Sequence, residues 1–285
     1  MDFLLPVEER CVSLTARLNQ AGTPKLPNRR KAQLYAHGAD NGAIDGVVFH
    51  SNLGFVYPVL SPRLTERDAR GLFEAAFVGL RRGFGRVYSI MGTRREVEFV
   101  ETAVGRPPGI RVDYYLMAPH GFSDRGGPTK PSPAVLRVGS AHREYTVRPA
   151  TEQDLEAIYP LQEGYEKEEV ILDPQSFDPY GCKHHLRRSL VKQVVYLAEH
   201  RGTPVAKAAT NALGFSYAQI GGVYTVPRFR ARGVAGLVME GLLRELSERG
   251  LAPCLFVKQS NPAAIRLYER LCFSVLSDFR ISYYR

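Results

Sequence analysis

The chain has little cysteine, and what it has is in no arrangement that would hold a metal. Its four cysteines, Cys11, Cys182, Cys254 and Cys272, are scattered without the paired spacing of a ligand set, and they read as reduced, packed thiols. The adjacent His184 and His185 read as surface or capping groups, so no metal is expected. Long apolar runs are missing too: nothing approaches the roughly 20 residues of a membrane span. Phe3-Leu4-Leu5 is too short for a signal-peptide core and acidic residues follow at once, so the expectation is a cytoplasmic protein with no membrane partner. A basic stripe is absent. The formal net charge is +9, but the excess is spread over both halves, and Arg29-Arg30-Lys31 is the longest cluster. Nucleic acid is therefore not an expected partner. Moderate basicity suits a chain that binds a polyanionic small molecule, or one that is simply kept soluble. The two common nucleotide loops, G-x-x-x-x-G-K-[ST] and G-x-G-x-x-G after a strand, are also not found.

What stands in their place is Arg230-Ala231-Arg232-Gly233-Val234-Ala235. It follows the apolar run Ile220 to Val226 and precedes an amphipathic run from Leu237 to Leu246. A strand would thus feed a glycine-containing turn that opens a helix. Such a turn leaves several backbone N–H groups unpaired at the positive end of the helix dipole, which makes an anion cradle, most simply for a pyrophosphate. Arg230 and Arg232 add charge, and Gly233 lets the backbone approach without a Cβ in the way.

The spacing Arg-x-x-Gly-x-Ala resembles the acyl-CoA pyrophosphate loop of the GNAT N-acetyltransferase superfamily. Pro227 and Phe229 stand where that family has a Pro-x-aromatic lead-in. Further on, Asn261-Pro262-Ala263-Ala264-Ile265-Arg266-Leu267-Tyr268 through Phe273 is similar to its second signature, N-x-x-A-x-x-L-Y-x-x-x-G-F. Cys272 takes the place of the usual glycine, from which a different turn geometry is expected there.

The length of 285 residues allows one or two domains, and the contents of 44% hydrophobic and 24% charged residues are ordinary for a globular chain. A Gly-, Pro- and Ser-rich stretch from Gly121 to Ser140 divides it near the midpoint. The second half opens with Tyr145 to Ala150 as a strand. Thr151-Glu152-Gln153-Asp154 follows as a helix start. Strands are then read at 194–199, 205–212 and 218–226, with a short one at 255–257 and a closing one at 279–284. In the first half Glu8 to Leu18 reads as a helix, 46–49 and 54–58 as paired strands, and Glu66 to Arg81 as a helix. Val87 to Met91 reads as a strand and 112–117 as another. That order, with Ser89-Ile90-Met91-Gly92 at a strand-to-helix turn, is similar to a second GNAT unit that has lost both signatures. The expected fold is α/β of the α+β kind: two GNAT-like units, each a mixed, mostly antiparallel sheet flanked by helices, the C-terminal one with a splayed central strand pair. The expected domains are 1–120, a linker at 121–142, and 143–285.

The resemblance implies a site. Residues Arg230, Ala231, Arg232, Gly233, Val234 and Ala235 would take the pyrophosphate of acetyl-CoA. Val223, Tyr224 and Thr225 would offer backbone groups to the pantetheine amides, as an added strand does. Asn261, with Ala264 in the same motif, would touch the pantetheine arm; Asn261 also reads as a plain N-cap before Pro262. Tyr268 matches the family's general acid, and a phenol near pKa 10 suits protonation of a leaving thiolate. The base is not evident, because Tyr224 and Phe256 stand where many members have a carboxylate. Glu168 and Glu169, in Tyr165-Glu166-Lys167-Glu168-Glu169-Val170, are candidates to reach the site, Glu169 to touch the acceptor, and a water chain is the competitor; such charge runs also form solvated helix faces. Lys207 reads either as lining the acceptor pocket or as a surface lysine. The implied activity is acetyl-CoA-dependent N-acetyl transfer to a primary amine on a small molecule or a protein. The alternative is an acyl-CoA-binding regulatory pseudoenzyme.

Overall fold

In the computed structural model, which describes residues 1–20, 23–24, 32–39, 42–83, 87–119, 144–171 and 173–284, the chain divides into two units. The linker expected at 121–142 lies outside the described residues. The first unit takes Met1–Ala118 with Phe256–Ile265 and Val275–Arg285, and the second takes Pro119–Leu255 and Arg266–Ser274.

The N-terminal segment, expected as one helix, is two pieces. A 3-10 turn over Leu5–Arg10 is followed by α1 (Val12–Leu18), because Cys11, at φ −133° and ψ 24°, leaves helical geometry. A two-residue pair, β1 (Asn19–Gln20) and β2 (Thr23–Pro24), comes next. Then β3 (Ala32–Gly38), β4 (Ile44–Ser51) and β5 (Phe55–Leu60) form an antiparallel meander. Alternation decides which residue goes to which face. Val47 and Phe49 pack with Leu14 and Leu18 of α1, while Val48 packs with Leu72 and Phe73 of α2 (Glu66–Gly83). Both faces are covered, so the strand reads as a continuous apolar run. Strand β6 (Ser89–Thr93) returns parallel to β5. It leads into α3 (Arg94–Val104), whose start is closed by a Thr93–Glu96 capping box, and β7 (Ile110–Pro119) follows.

In the second unit, β8 (Tyr145–Pro149) is followed by a turn capped by Thr151 and Asp154, then by α4 (Leu155–Tyr165). Helix α4 runs on into a single π-type turn over Glu166–Val170, and α5 (Pro179–Lys192) comes after it. The hairpin of β9 (Val195–His200) and β10 (Thr203–Leu213) is closed by Arg201 at φ 52° and Gly202 at φ 75°. Two positive φ values in a two-residue loop match the right-handed twist of the strands. Strand β11 (Tyr217–Thr225) pairs antiparallel with β10, and helix α6 (Val234–Glu248) carries the chain to β12 (Ala252–Lys258), parallel to β11. Within this unit the strand order is β12-β11-β10-β9-β8. Leu155 and Ile158 of α4 and Leu186 and Leu190 of α5 bury one face with Val195, Leu197 and Ala209. Helix α6 covers the other face with Val234, Val238, Met239, Leu242 and Leu246, each such side chain stabilising by roughly 1.5–3 kcal/mol. It sits close: a Cβ at Gly241 would lie 2.7 Å from Tyr196 and 2.9 Å from Val147.

Helix α7 (Pro262–Arg270) and β13 (Phe273–Tyr283) close the chain. The turn between them corrects an expectation. Cys272 adopts φ 64°, so the position keeps the left-handed geometry natural to glycine and carries a side chain in it. Strand β13 then lies between β6 and β7 in the first unit, antiparallel to β6 from Phe279↔Thr93 to Tyr283↔Ser89. Arg280 Nε donates to Asp113 Oδ1 on β7 at 2.7 Å, and the Phe279 ring stacks on Phe256 at 4.0 Å. The range 143–285 read from the sequence thus differs from the observed division at Phe256–Ile265 and Val275–Arg285. The cause is a ladder between segments far apart in the chain, which local periodicity does not carry. Among the described residues no helix is long and apolar enough to cross a membrane, and no group of three metal-ligating side chains converges.

Candidate active site

The site grows from the end of β11. Its parallel ladder to β12 runs from Tyr217↔Ala252 to Ile220↔Leu255 and stops there, while β11 continues to Thr225. The opposite edge stays paired to β10, and of its two register shifts the one nearer the end of β11 matters here: Lys207 faces Tyr224 but Ala209 faces Gly221. Strand β11 therefore carries an extra residue, and Gly222 at φ 63° is the left-handed residue of that bulge. Val226 N–H donates to Val205 O at 2.9 Å, toward β10. Strand alternation then turns the N–H groups of Val223 and Thr225 the other way, to the edge where the ladder has ended.

After a 3-10 turn at Pro227–Phe229, the loop places Ala231 at φ 59° and Gly233 at φ 78°. Gly233 is the N-cap of α6 and supplies no side-chain cap. Leu237 N–H is tied to Gly233 O at 3.2 Å. The preceding N–H groups, those of Val234, Ala235 and Gly236, have no partner within the helix and sit at its positive pole. Arg232 is exposed with its guanidinium 5.6 Å from the Phe229 ring centre.

Arg230 is already engaged. Its Nη2 donates to both oxygens of Glu168, at 2.9 and 2.7 Å, its Nε donates to Thr225 O at 2.9 Å, and it lies over the Tyr224 ring at 5.3 Å. Tyr224 Oη donates to Glu168 Oε1 at 3.0 Å. Gly164 makes room for that hydroxyl, since a Cβ there would fall 2.4 Å from it. The π-turn after α4 is thereby fastened to the loop before α6. Burial, with the Glu168 hydrogen bond second, raises the Tyr224 pKa above its ordinary 10.

Tyr268 is buried on α7, in the part of that helix that packs with the second unit. Burial pushes its pKa well above the usual phenol value, and Tyr165 and the Glu169 carboxylate add to the rise. Tyr268, Tyr165 and Glu169 are thus one electrostatic neighbourhood. Leu267 beside Tyr268 reaches the first turn of α6, 4.0 Å from where a Gly236 Cβ would stand. Asn261 Oδ1 accepts from Ala264 N–H at 3.0 Å, so the capping role of Asn261 is present. Both residues lie in the segment Phe256–Ile265 of the first unit.

The surface reading of Lys207 is corrected. It is only 2% exposed, its Nζ donates to Gly222 O at 2.8 Å, and it lies 4.9 Å from the Tyr165 ring centre. Desolvation lowers its pKa to about 8, opposed first by Glu166 and then by Cys182. Cys182 is itself pushed up to about 12 by burial and by Glu166. Sequence reasoning missed Tyr165 and Cys182, and for Glu168 it missed the partners Arg230 and Tyr224. The available signals were Gly164 beside Tyr165, and a lysine set within Val205-Ala206-Lys207-Ala208-Ala209.

Residues 198–281 match the family described as FR47-like protein. Among solved structures, the chain is similar to a GNAT-family acetyltransferase from Colwellia psychrerythraea, at 12% identity and TM-score 0.54, covering 100% of this chain and 97% of that one. It is similar to a GCN5-related N-acetyltransferase from Kribbella flavida, at 16% identity and TM-score 0.56, covering 90% of each. A Drosophila protein aligns at 12% identity and TM-score 0.62, over 90% of this chain and 83% of that one. No curated protein matches. The mixed sheets, the glycine-led α6 and the early end of the β11–β12 ladder define a protein of acetyltransferase-like fold. The chain shares its fold with these GNAT-family and GCN5-related acetyltransferases.

Proposed function

We propose that the chain is an acetyl-CoA-dependent N-acetyltransferase that moves an acetyl group to a primary amine by direct attack. One observation carries this reading: the uncapped N-terminus of α6 behind the left-handed Ala231 and Gly233, next to a strand edge freed after Ile220. Such a donor set suits a pyrophosphate, and the freed edge suits an extended amide-bearing chain. Gly233, Val234 and Ala235 would hold the phosphates by backbone N–H, with Arg232 adding charge. Arg230 would act by fixing the loop to Glu168. Val223 C=O and Thr225 N–H would pair with the pantetheine amides, beside Tyr224.

Acetyl-CoA supplies an activated thioester carbonyl. As the amine nitrogen bonds to that carbon and the C–S bond breaks, Tyr268 gives its phenolic proton to the sulfur. Its raised pKa keeps the phenol protonated until then. Glu169 takes the proton lost by the amine, directly or through water, and Val223 N–H donates to the developing oxyanion.

The test has two arms. Acetyl-CoA should raise the melting temperature of the wild type by mass action, and Gly233→Asp should abolish the rise by putting a carboxylate among the phosphates. Normal binding by Gly233→Asp would refute the loop assignment. Thiol release above background over a library of amines supports catalysis, whereas tight binding with no turnover on any amine would favour a regulatory acyl-CoA-binding role.

A further inference from the structure

The buried cation beneath the β11 bulge has no place in the steps above. Lysine is almost never fully buried unless paired, and an ammonium out of water is strongly disfavoured. Lys207 is nonetheless fully buried, on a strand whose Val205, Ala206, Ala208 and Ala209 are buried too. Its close partners are a carbonyl, Gly222 O at 2.8 Å, and a ring, Tyr165 at 4.9 Å. Glu166 and Cys182 act on it electrostatically. The backbone is shaped to admit it. Gly222 is left-handed at φ 63°, and a Cβ there would stand 3.0 Å from Nζ. Position 222 thus needs a residue that tolerates positive φ and leaves the ammonium room.

The consequence lies on the far side of one peptide bond. The chain has no cis peptide among its described residues, so the Gly222 C=O and the Val223 N–H point in opposite directions across one rigid plane. The ammonium holds the carbonyl end. The N–H end faces the strand edge beyond the last β11–β12 pair, Ile220↔Leu255. A charge-assisted bond to the carbonyl draws electron density out of the amide, so the N–H becomes a stronger donor. It also fixes the plane, so the donor is aimed before any ligand arrives.

We propose that Lys207 is a positioning residue for acetyl transfer: by gripping the Gly222 carbonyl it aims and polarises the Val223 N–H toward the thioester oxygen. This rests on the acetyltransferase reading above. It adds a side-chain device behind a backbone donor. Lysine's charge is what the device uses, since a neutral side chain would polarise the carbonyl less.

The experiment reads the carbonyl itself. Infrared difference spectra of acetyl-CoA labelled with carbon-13 at the acetyl carbonyl should show a lowered stretching frequency on the wild-type protein. The band should move back toward the free value on Lys207→Met, with Lys207→Gln, a neutral donor, between them. With an active amine, kcat for Lys207→Met should fall about ten-fold, less than for loss of a direct oxyanion donor, while the acetyl-CoA KM stays within about two-fold. In the ligand-free protein the Val223 amide proton resonance should move upfield in both variants, which tests the polarisation without any cofactor. Should Lys207→Met fail to fold, Lys207→Gln carries all three measurements. Failure of the wild type to bind acetyl-CoA would overturn the functional reading and this proposal together. Normal binding with an unmoved carbonyl band and an unmoved Val223 resonance would overturn this proposal alone.

Discussion

Lys207→Met should also change how stability depends on pH, and the size follows from the site. Desolvation is the main cause that lowers the Lys207 pKa from 10.5 to about 8, and Glu166 and then Cys182 oppose it. The groups that face it are Tyr165 and Glu166 at the end of α4, Cys182 on α5 and the Gly222 carbonyl on β11. Below pH 8 the lysine is charged in both folded and unfolded chains, and the folded state bears the full penalty of burying it. Between about 8 and 10.5 the unfolded chain binds a proton that the folded chain does not, so wild-type stability rises with pH. Each pKa unit is worth about 1.4 kcal/mol, so the whole window is worth about 3 kcal/mol. Met does not titrate. The stability of the wild type relative to Lys207→Met should therefore climb by about 2–3 kcal/mol from pH 7 to pH 10. Urea unfolding of both proteins at half-unit pH steps measures the difference directly. A flat difference, or one that falls with pH, would mean that the ammonium is solvated or fully neutralised by a partner, and the account of the bulge would fail with it.

Tyr268→Phe keeps the ring and removes the proton, so turnover should drop by roughly 10² or more while acetyl-CoA affinity stays level; undiminished turnover with an active amine would take Tyr268 out of the mechanism. Cys272→Gly relieves a left-handed residue, a gain of about 1–2 kcal/mol, against about 0.5–1 lost to the freer unfolded chain. The melting temperature should rise by about 1–4 °C, and a fall would contradict the turn geometry. At Gly241 a Cβ has no space against Tyr196 and Val147, so Gly241→Ala should lower stability by about 1 kcal/mol even though Ala is the better helix former. A melting temperature above the wild type's would show that α6 packs less closely than described.

Local signals in the sequence were legible where local physics decides. The strand, glycine turn and helix around Arg230 to Ala235, the Thr151–Asp154 cap and the β9–β10 hairpin all rest on residues within a few positions of each other, and periodicity or turn chemistry announces them. The burial of Lys207 did not show, because it depends on Tyr165, Cys182 and Gly222, which the chain brings together only in three dimensions. The pairing of Glu168 did not show, because a run of charges does not name a partner such as Arg230, 62 residues away. At Cys272 the residue type suggested one backbone and the fold imposed another. That conflict between local preference and global need marks the position as strained. The interleaving of β13 was the largest feature out of reach, since nothing in Phe279 to Tyr284 names Ser89 to Thr93 as its partner.

That same strand sets a timetable. During synthesis the β6 edge at Ser89–Thr93 emerges long before Phe279–Tyr283, the segment that will cover it. At about 5–20 residues per second the wait is on the order of 10–40 s, far longer than the micro- to millisecond scale of local folding. For that interval the nascent first unit carries an open sheet edge, a template for pairing with any extended chain nearby. Conditions that slow translation or delay release should therefore burden the amino-terminal half of this protein more than the carboxyl-terminal half.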